Sequence, residues 1–181
     1  MILPIVLYGD PVLQRRAEEV PPNFPDLDAL IQNMFDTMYT ASGIGLAAPQ
    51  IGQSWRLFVL DAELADEVVY KGQKRVFINP LILEESGDLW PYAEGCLSVP
   101  EIRGDVMRRA TIRLRYEDAQ RVVHEETLDG MLARIIQHEY DHIEGRLFID
   151  LLNPLRRRLV QKKLQLIRNG KLRPEYKHRP R

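Results

Sequence analysis

Gln137-His138-Glu139-Tyr140-Asp141-His142 holds two histidines four residues apart, with a glutamate directly after the first. On an α-helix, positions i and i+4 lie on one face about one turn apart, so both imidazoles can point at one metal ion. Glu139, beside the first histidine, can reach a water on that ion. The flanking sequence supports a helix. Leu128, Met131, Leu132, Ile135 and Ile136 make a broad apolar surface, which predicts that it is largely buried. Asp129 is placed to cap it, Gly130 falls in its first turn, and Gly145 ends it.

Catalytic zinc-type sites use three protein ligands and keep one position open for water. One metalloprotease pattern, H-E-x-x-H-x-x-G-x-x-H, finds its third ligand downstream. This chain keeps that frame through Gly145 but has Phe148 where the histidine belongs. Other proteases use a downstream glutamate. Here only Glu144 and Glu175 follow His142, one too close and one in a basic tail. The single cysteine, Cys96, lies upstream between Gly95 and Leu97, in what reads as an irregular stretch. A lone cysteine is commonly a small buried hydrophobe. A thiolate with two imidazoles is also a sound donor set, because a metal keeps the thiol deprotonated.

Outward from this helix, 181 residues that are 45% hydrophobic and 28% charged suit one soluble domain with a sizeable core. The apolar start, Met1 to Leu7, is too short for a signal segment, and no apolar run reaches the length of a membrane span. A single cysteine agrees with a reducing compartment, so the expected location is the cytoplasm. A short helix is expected from Asp10-Pro11 to about Glu19. An amphipathic helix should run from Pro25 to near Ser42-Gly43, with Leu27, Leu30, Ile31, Met34, Phe35 and Met38 on its core face. The loop Gly43 to Gly52 is rich in glycine, and Gln50 is its one side chain with both a strong donor and an acceptor. Strands are expected at 55–61, 68–70, 75–78, 81–83, 111–116 and 121–127, with a turn at Ser86-Gly87-Asp88. A further short strand is expected at 148–150. Asn153-Pro154 opens a last helix to about Asn169-Gly170, with Leu155, Leu159, Val160, Leu164 and Ile167 as its docking face.

The net charge of −1 hides a split. Residues 151–181 hold eleven Lys/Arg against Glu175 alone, so that segment carries +10 and residues 1–150 carry −11. A basic end on an acidic body reads either as a nucleic-acid footprint or as a solvated terminal helix.

Three segments in order, Gly43-Ile44-Gly45-Leu46-Ala47-Ala48-Pro49-Gln50, Glu94-Gly95-Cys96-Leu97-Ser98 and Gln137 to His142, together resemble the peptide deformylases. The opening Gly9-Asp10-Pro11-Val12-Leu13 is also similar to that family's start, and the likeness runs to about residue 150. It implies an α+β fold, with antiparallel strands packed around a central helix carrying the H-E-x-x-H motif and a C-terminal helix after it. Residues 1–170 are then a single catalytic domain ending in a basic helix at 151–170, and 171–181 a basic, disordered tail.

The resemblance implies a metal-dependent hydrolase that removes the formyl group from the N-terminal formyl-methionine of new proteins. Cys96, His138 and His142 would bind one divalent ion, Fe2+ by resemblance, with Zn2+, Ni2+ or Co2+ also able to serve. A metal-activated hydroxide would attack the formyl carbon, with Glu139 as general base and then acid. The Gln50 side-chain amide and the Leu97 backbone N–H would hold the oxyanion.

Met131 and Ile135 share the helix face of the histidines and, with Ile44 and Tyr92, are expected to line an apolar pocket for methionine; the Gly45 backbone would bond the peptide. Ordinary core packing is the other reading of these residues. Arg134 departs from the apolar residue common in the family, which leaves undecided both the pocket's rim and the preference for residues after methionine. Glu94 and Asp141 are expected to orient the histidines, with Arg103 or Arg109 as another partner for Asp141. Expected partners are nascent formyl-methionyl polypeptides and, through the basic C-terminal segment, the ribosome, with no membrane and no specific DNA. The competing functions are a metallopeptidase and a nucleic-acid-binding protein with a structural metal.

Overall fold

A computed structural model describes residues 1–180; Arg181 lies outside the described residues. Alternating side chains organise the sheet. Along β4 (Val99–Glu117), Ile102, Val106, Arg108, Ile112 and Leu114 are buried while Glu101, Arg103, Asp105, Arg109 and Arg113 face water. Five antiparallel strands stand in chain order: β1 (Gly45–Ala47), β2 (Leu57–Asp61), β3 (Lys74–Cys96), β4 and β5 (Val123–Asp129). Antiparallel neighbours need only turns or short loops between them, which gives this simple order. No helix is long and apolar enough, among the described residues, to cross a membrane.

The sheet wraps α2 (Gly130–Ile143), the helix of the two histidines. Leu132, Ala133 and Ile136 pack with Phe58, Leu60, Phe77, Ile112 and Leu114. On β1 and β2, α1 (Leu27–Thr40) buries Met34 and Met38 against Leu46, Leu57 and Val59. The third helix, α3 (Pro154–Arg168), sets Val160, Leu164 and Ile167 against Ile5, Val106 and Phe148. This is the expected α+β arrangement.

Several local expectations change. Only a 3-10 turn at Pro11–Gln14 forms where a helix to Glu19 was expected. Residues 68–70 form a turn, and 148–150 a 3-10 turn. The expected strand at 81–83 and turn at 86–88 are parts of one long β3, which crosses Gly87 through a shift of register between Ser86 and Leu89. A bulge lets a strand absorb turn-forming residues without ending. Cys96 is no loop residue: it ends β3, pairs with Val99, and leaves Leu97-Ser98 as the hairpin turn. Asp129 makes no side-chain cap; the Met131 N–H instead donates to the Tyr70 hydroxyl at 3.1 Å. Leu155 and Leu159, expected to dock, are 70% and 65% exposed, because α3 meets the body over a narrower stripe.

The expected disordered tail is also corrected. The Ile5 N–H donates to the Lys177 carbonyl at 3.0 Å, and the Arg179 N–H to the Ile5 carbonyl at 2.8 Å. Leu172 and Tyr176 anchor this strap on the cluster around Ile5 and Phe148. Two apolar anchors and a pair of backbone hydrogen bonds offset the ordering entropy that charge alone would not.

Candidate active site

Each element delivers one part of the site. After β1, a 3-10 turn at Ala48–Ile51 carries Gln50. Its Oε1 accepts from the Ala47 N–H at 2.8 Å, which fixes the amide and leaves Nε2 facing inward. That Nε2 lies 3.5 Å from Cys96 Sγ and 3.3 Å from Ser98 Oγ. From the end of β3, Cys96 Sγ reaches within 3.3 Å of His142 Nε2 on α2. One ligand atom each from Cys96, His138 and His142 lies within 4.8 Å of the others.

The site fits a metal ion. His138 uses Nδ1 for Glu94 Oε2, 2.8 Å away, which turns Nε2 toward the thiol. Burial opposes charge on His138, yet Cys96, Glu94 and Glu139 together raise its pKa well above the ordinary value. The surroundings therefore favour a cation there. Burial holds the pKa of His142 well below that of a free imidazole, so its lone pair is available to a metal. One thiolate and two imidazoles suit iron, cobalt, nickel or zinc.

Glu139 sits beside this cluster, 4% exposed. Its Oε2 is buried without a hydrogen-bond partner among the described residues. Burial, with a smaller push from Glu94, raises its pKa to about 7. Gly45 makes the position possible: a Cβ there would lie 2.4 Å from Glu139 Oε1.

Behind the histidines lies an ion cluster. Arg108 donates to Glu94 through Nε at 2.7 Å and to Asp141 Oδ2 at 2.8 Å. Asp141 also pairs with Arg146 at 3.2 Å, so its partners are Arg108 and Arg146 and not Arg103 or Arg109. Arg134 donates to Glu94 Oε1 at 2.7 Å and to the Trp90 carbonyl at 2.6 Å. Its guanidinium lies 4.0 Å from the centroid of the Trp90 ring. Burial opposes the charge on Glu94, but hydrogen bonds from His138 and Arg108 outweigh it and hold its pKa well below the usual carboxylate range.

In front is a cavity of about 1070 Å³. Ile44, Gly45, Tyr92, Met131 and Ile135 all line it, together with Gln50, Cys96, Leu97, His138 and Glu139. Asp141 stands behind the two histidines and is not among the residues that line the cavity. The sequence reading missed Arg108, Ser98 and Tyr176. Arg108 carried a legible signal, since it shares the strand parity of Ile102 and Val106 and so had to point inward. Ser98 stood at the end of the Glu94–Ser98 motif without a role assigned to it, and Tyr176 carried no signal.

Two imidazoles, a thiol and a buried acid at the mouth of an apolar cavity place the chain among the metal-dependent hydrolases. The family model for polypeptide deformylase matches residues 2–158. The peptide deformylase of Christiangramia forsetii is 49% identical over 188 aligned positions, spanning 99% of this chain and 96% of the relative. Among solved structures, a Plasmodium falciparum peptide deformylase superposes with a TM-score of 0.85 at 40% identity, covering 92% of this chain and 95% of that one. One from Legionella pneumophila gives 0.83 at 39% identity, covering 96% and 100%. The chain belongs to the peptide deformylase family.

Proposed function

We propose that this site removes the formyl group from the N-terminal formyl-methionine of newly made polypeptides, with Cys96, His138 and His142 holding the metal, Glu139 moving the proton, and Gln50 with Leu97 binding the oxyanion. Family membership makes the chain a metal-dependent hydrolase acting on N-formyl groups. The observation that supports the residue roles is the meeting of three ligand atoms within 4.8 Å beside a buried carboxylate oxygen with no partner.

When bound, the divalent ion supplies Lewis acidity: it lowers the pKa of a coordinated water and polarises a carbonyl oxygen. Glu139 accepts the proton from the attacking water at Oε2. It then returns that proton to the departing amine nitrogen. A carboxylate with a pKa near 7 is matched to both steps. The Gln50 Nε2–H and the Leu97 N–H donate to the oxygen that gains charge. Glu94 fixes the ring of His138. Ile44, Tyr92, Met131 and Ile135 receive the methionine side chain, and the Gly45 backbone bonds the peptide. A formyl group has no side chain of its own, so selectivity comes from this apolar wall.

Formyl-methionyl and acetyl-methionyl peptides assayed side by side test the reading. Formate release from the first and none of the corresponding acetate from the second supports it; cleavage inside either peptide overturns it in favour of a peptidase. The proposed ion is Fe2+, by resemblance to the family; the thiolate and two imidazoles alone would equally suit zinc, nickel or cobalt. Protein purified without oxygen should carry iron and lose activity in air. Full activity with zinc alone, indifferent to air, would remove the iron assignment.

The same reading places the enzyme in the cytoplasm, at the ribosome. Exposed Arg156, Arg157, Arg158, Lys162 and Lys163 on α3 offer a phosphate-binding face. The full-length Arg158→Glu, Lys162→Glu variant should lose salt-sensitive ribosome binding; unchanged binding would end this part of the proposal.

A further inference from the structure

The match to the family model ends at residue 158, although the Christiangramia forsetii relative aligns over 99% of this chain; beyond residue 158, Arg173, Pro174, Glu175 and Tyr176 line the active-site cavity. The strap therefore closes one wall of the site. It also touches the backbone there: the Tyr176 hydroxyl donates to the Leu97 carbonyl.

Leu97 and Ser98 are the whole of the turn between β3 and β4. The Cys96–Val99 pair closes the turn, and contacts from outside fix its peptides further. Besides the Gln50 Nε2 contact to Ser98 Oγ at 3.3 Å, two contacts reach its carbonyls. The Tyr8 N–H donates to the Ser98 carbonyl at 2.8 Å, and Tyr176 holds the Leu97 carbonyl. Both contacts trace to one assembly. The segment around Ile5 is hydrogen-bonded to Lys177 and Arg179 of the strap, and the Val6 N–H donates to the Gln50 carbonyl at 2.7 Å. The N-terminal segment and the strap thus grip both loops that carry the oxyanion donors.

We propose that Tyr176 is a positioning residue of the deformylation site: its hydroxyl fixes the Leu97 backbone and so aims the Leu97 N–H at the oxyanion. This rests on the assignment of that N–H as an oxyanion donor. A phenol ordinarily ionises near pH 10, so Tyr176 is a donor at neutral pH. Its ring packs independently of the hydroxyl, which makes Tyr176→Phe a clean removal of one hydrogen bond.

The test uses the full-length protein and a short formyl-methionyl peptide. In Tyr176→Phe, kcat should fall roughly tenfold, the scale of one well-placed neutral hydrogen bond. KM should stay within about twofold of the parent, because a donor engaged only as charge develops acts on kcat. Metal content should match the parent, and Tm should fall by no more than about 2–4 °C, the cost of one hydrogen bond. A kcat equal to the parent's, a change confined to KM, or a loss that tracks lost metal or a larger fall in Tm would each overturn the proposal. Gln50→Ala run in parallel separates the two levels. If Gln50→Ala loses kcat and Tyr176→Phe does not, the positioning role fails and the oxyanion reading stands. If the parent releases no formate, or Gln50→Ala keeps full kcat, the oxyanion reading itself fails.

Discussion

Two helices of nearly equal length handle charge in opposite ways. α2 has 14 residues and buries Arg134, Gln137, Glu139, Asp141 and His142. α3 has 15 and buries only Val160, Leu164 and Ile167, leaving its lysines and arginines in water. A charge in water costs little, whereas a buried one must be met by a partner or carry a large penalty. Within α2 the two solutions stand side by side. Arg134 and Asp141 bind opposite charges. Glu139 Oε2 has no partner among the described residues, nor have Arg134 Nε and His142 Nδ1, the ring nitrogen turned away from Cys96. The unmet carboxylate faces the cavity, while Asp141 and its arginines are paired away from it.

The sharpest way to break this contrast is to neutralise the unmet acid. Glu139→Gln keeps size and shape but removes the proton acceptor. The kcat for formate release should drop by about 10⁴-fold, the upper range for general acid–base catalysis. Metal content should be unchanged, since Glu139 is not a ligand in this reading. Loss of the metal, or a kcat within tenfold of the parent, would place the unmet carboxylate outside the reaction.

The next change attacks the met side. Arg108→Ala leaves Glu94 and Asp141 buried with weakened pairing, although Arg134 and Arg146 remain on them. Breaking a buried pair typically costs about 3–5 kcal/mol, and urea unfolding should show a loss on that scale. His138 would lose part of its orientation through Glu94, so metal affinity should fall about 10- to 100-fold. Unchanged stability would mean that the cluster behind α2 is idle.

A smaller effect separates position from charge. Gly45→Ala would put a methyl 2.4 Å from Glu139 Oε1 and push the carboxylate aside. Misplacing a catalytic group by such a distance costs on the order of 10²-fold in kcat. Metal content again stays level. Parental activity would show that the carboxylate is free to shift.

These contrasts explain what the sequence made legible. Spacing along α2 is local, so the shared face of His138 and His142 could be read directly. Alternation along β4 is local too. Cys96 was legible as a candidate ligand from the missing downstream histidine and from the family motif, but its place at a hairpin end depended on where β3 stopped. Gly87 and Gly95 look like breaks in a strand, yet β3 runs through both because register shifts absorb them. Leu155 and Leu159 have helical spacing with Val160 and Leu164, but how wide a stripe is covered depends on what lies opposite. The strap was hidden for the same reason: eleven basic residues dominate the end of the chain, while Leu172 and Tyr176 matter only once the groove beside Ile5 exists.

The least effect should come from α3, and its smallness is what the comparison requires. Arg156, Arg157 and Lys163 are engaged with the Arg103 carbonyl, Asp150 and the Glu101 carbonyl, so Arg158 and Lys162 are the better probes. Arg158→Ala and Lys162→Ala should each change unfolding free energy by less than about 0.5 kcal/mol, as exposed substitutions do. Formate release from a short peptide should not change, since neither residue lines the cavity. Binding to ribosomal RNA should respond instead: each lost cation removes about one unit from the slope of log affinity against log salt. A kcat loss in either variant would mean that charge on α3 reaches the reaction, and the division between the two helices would fall.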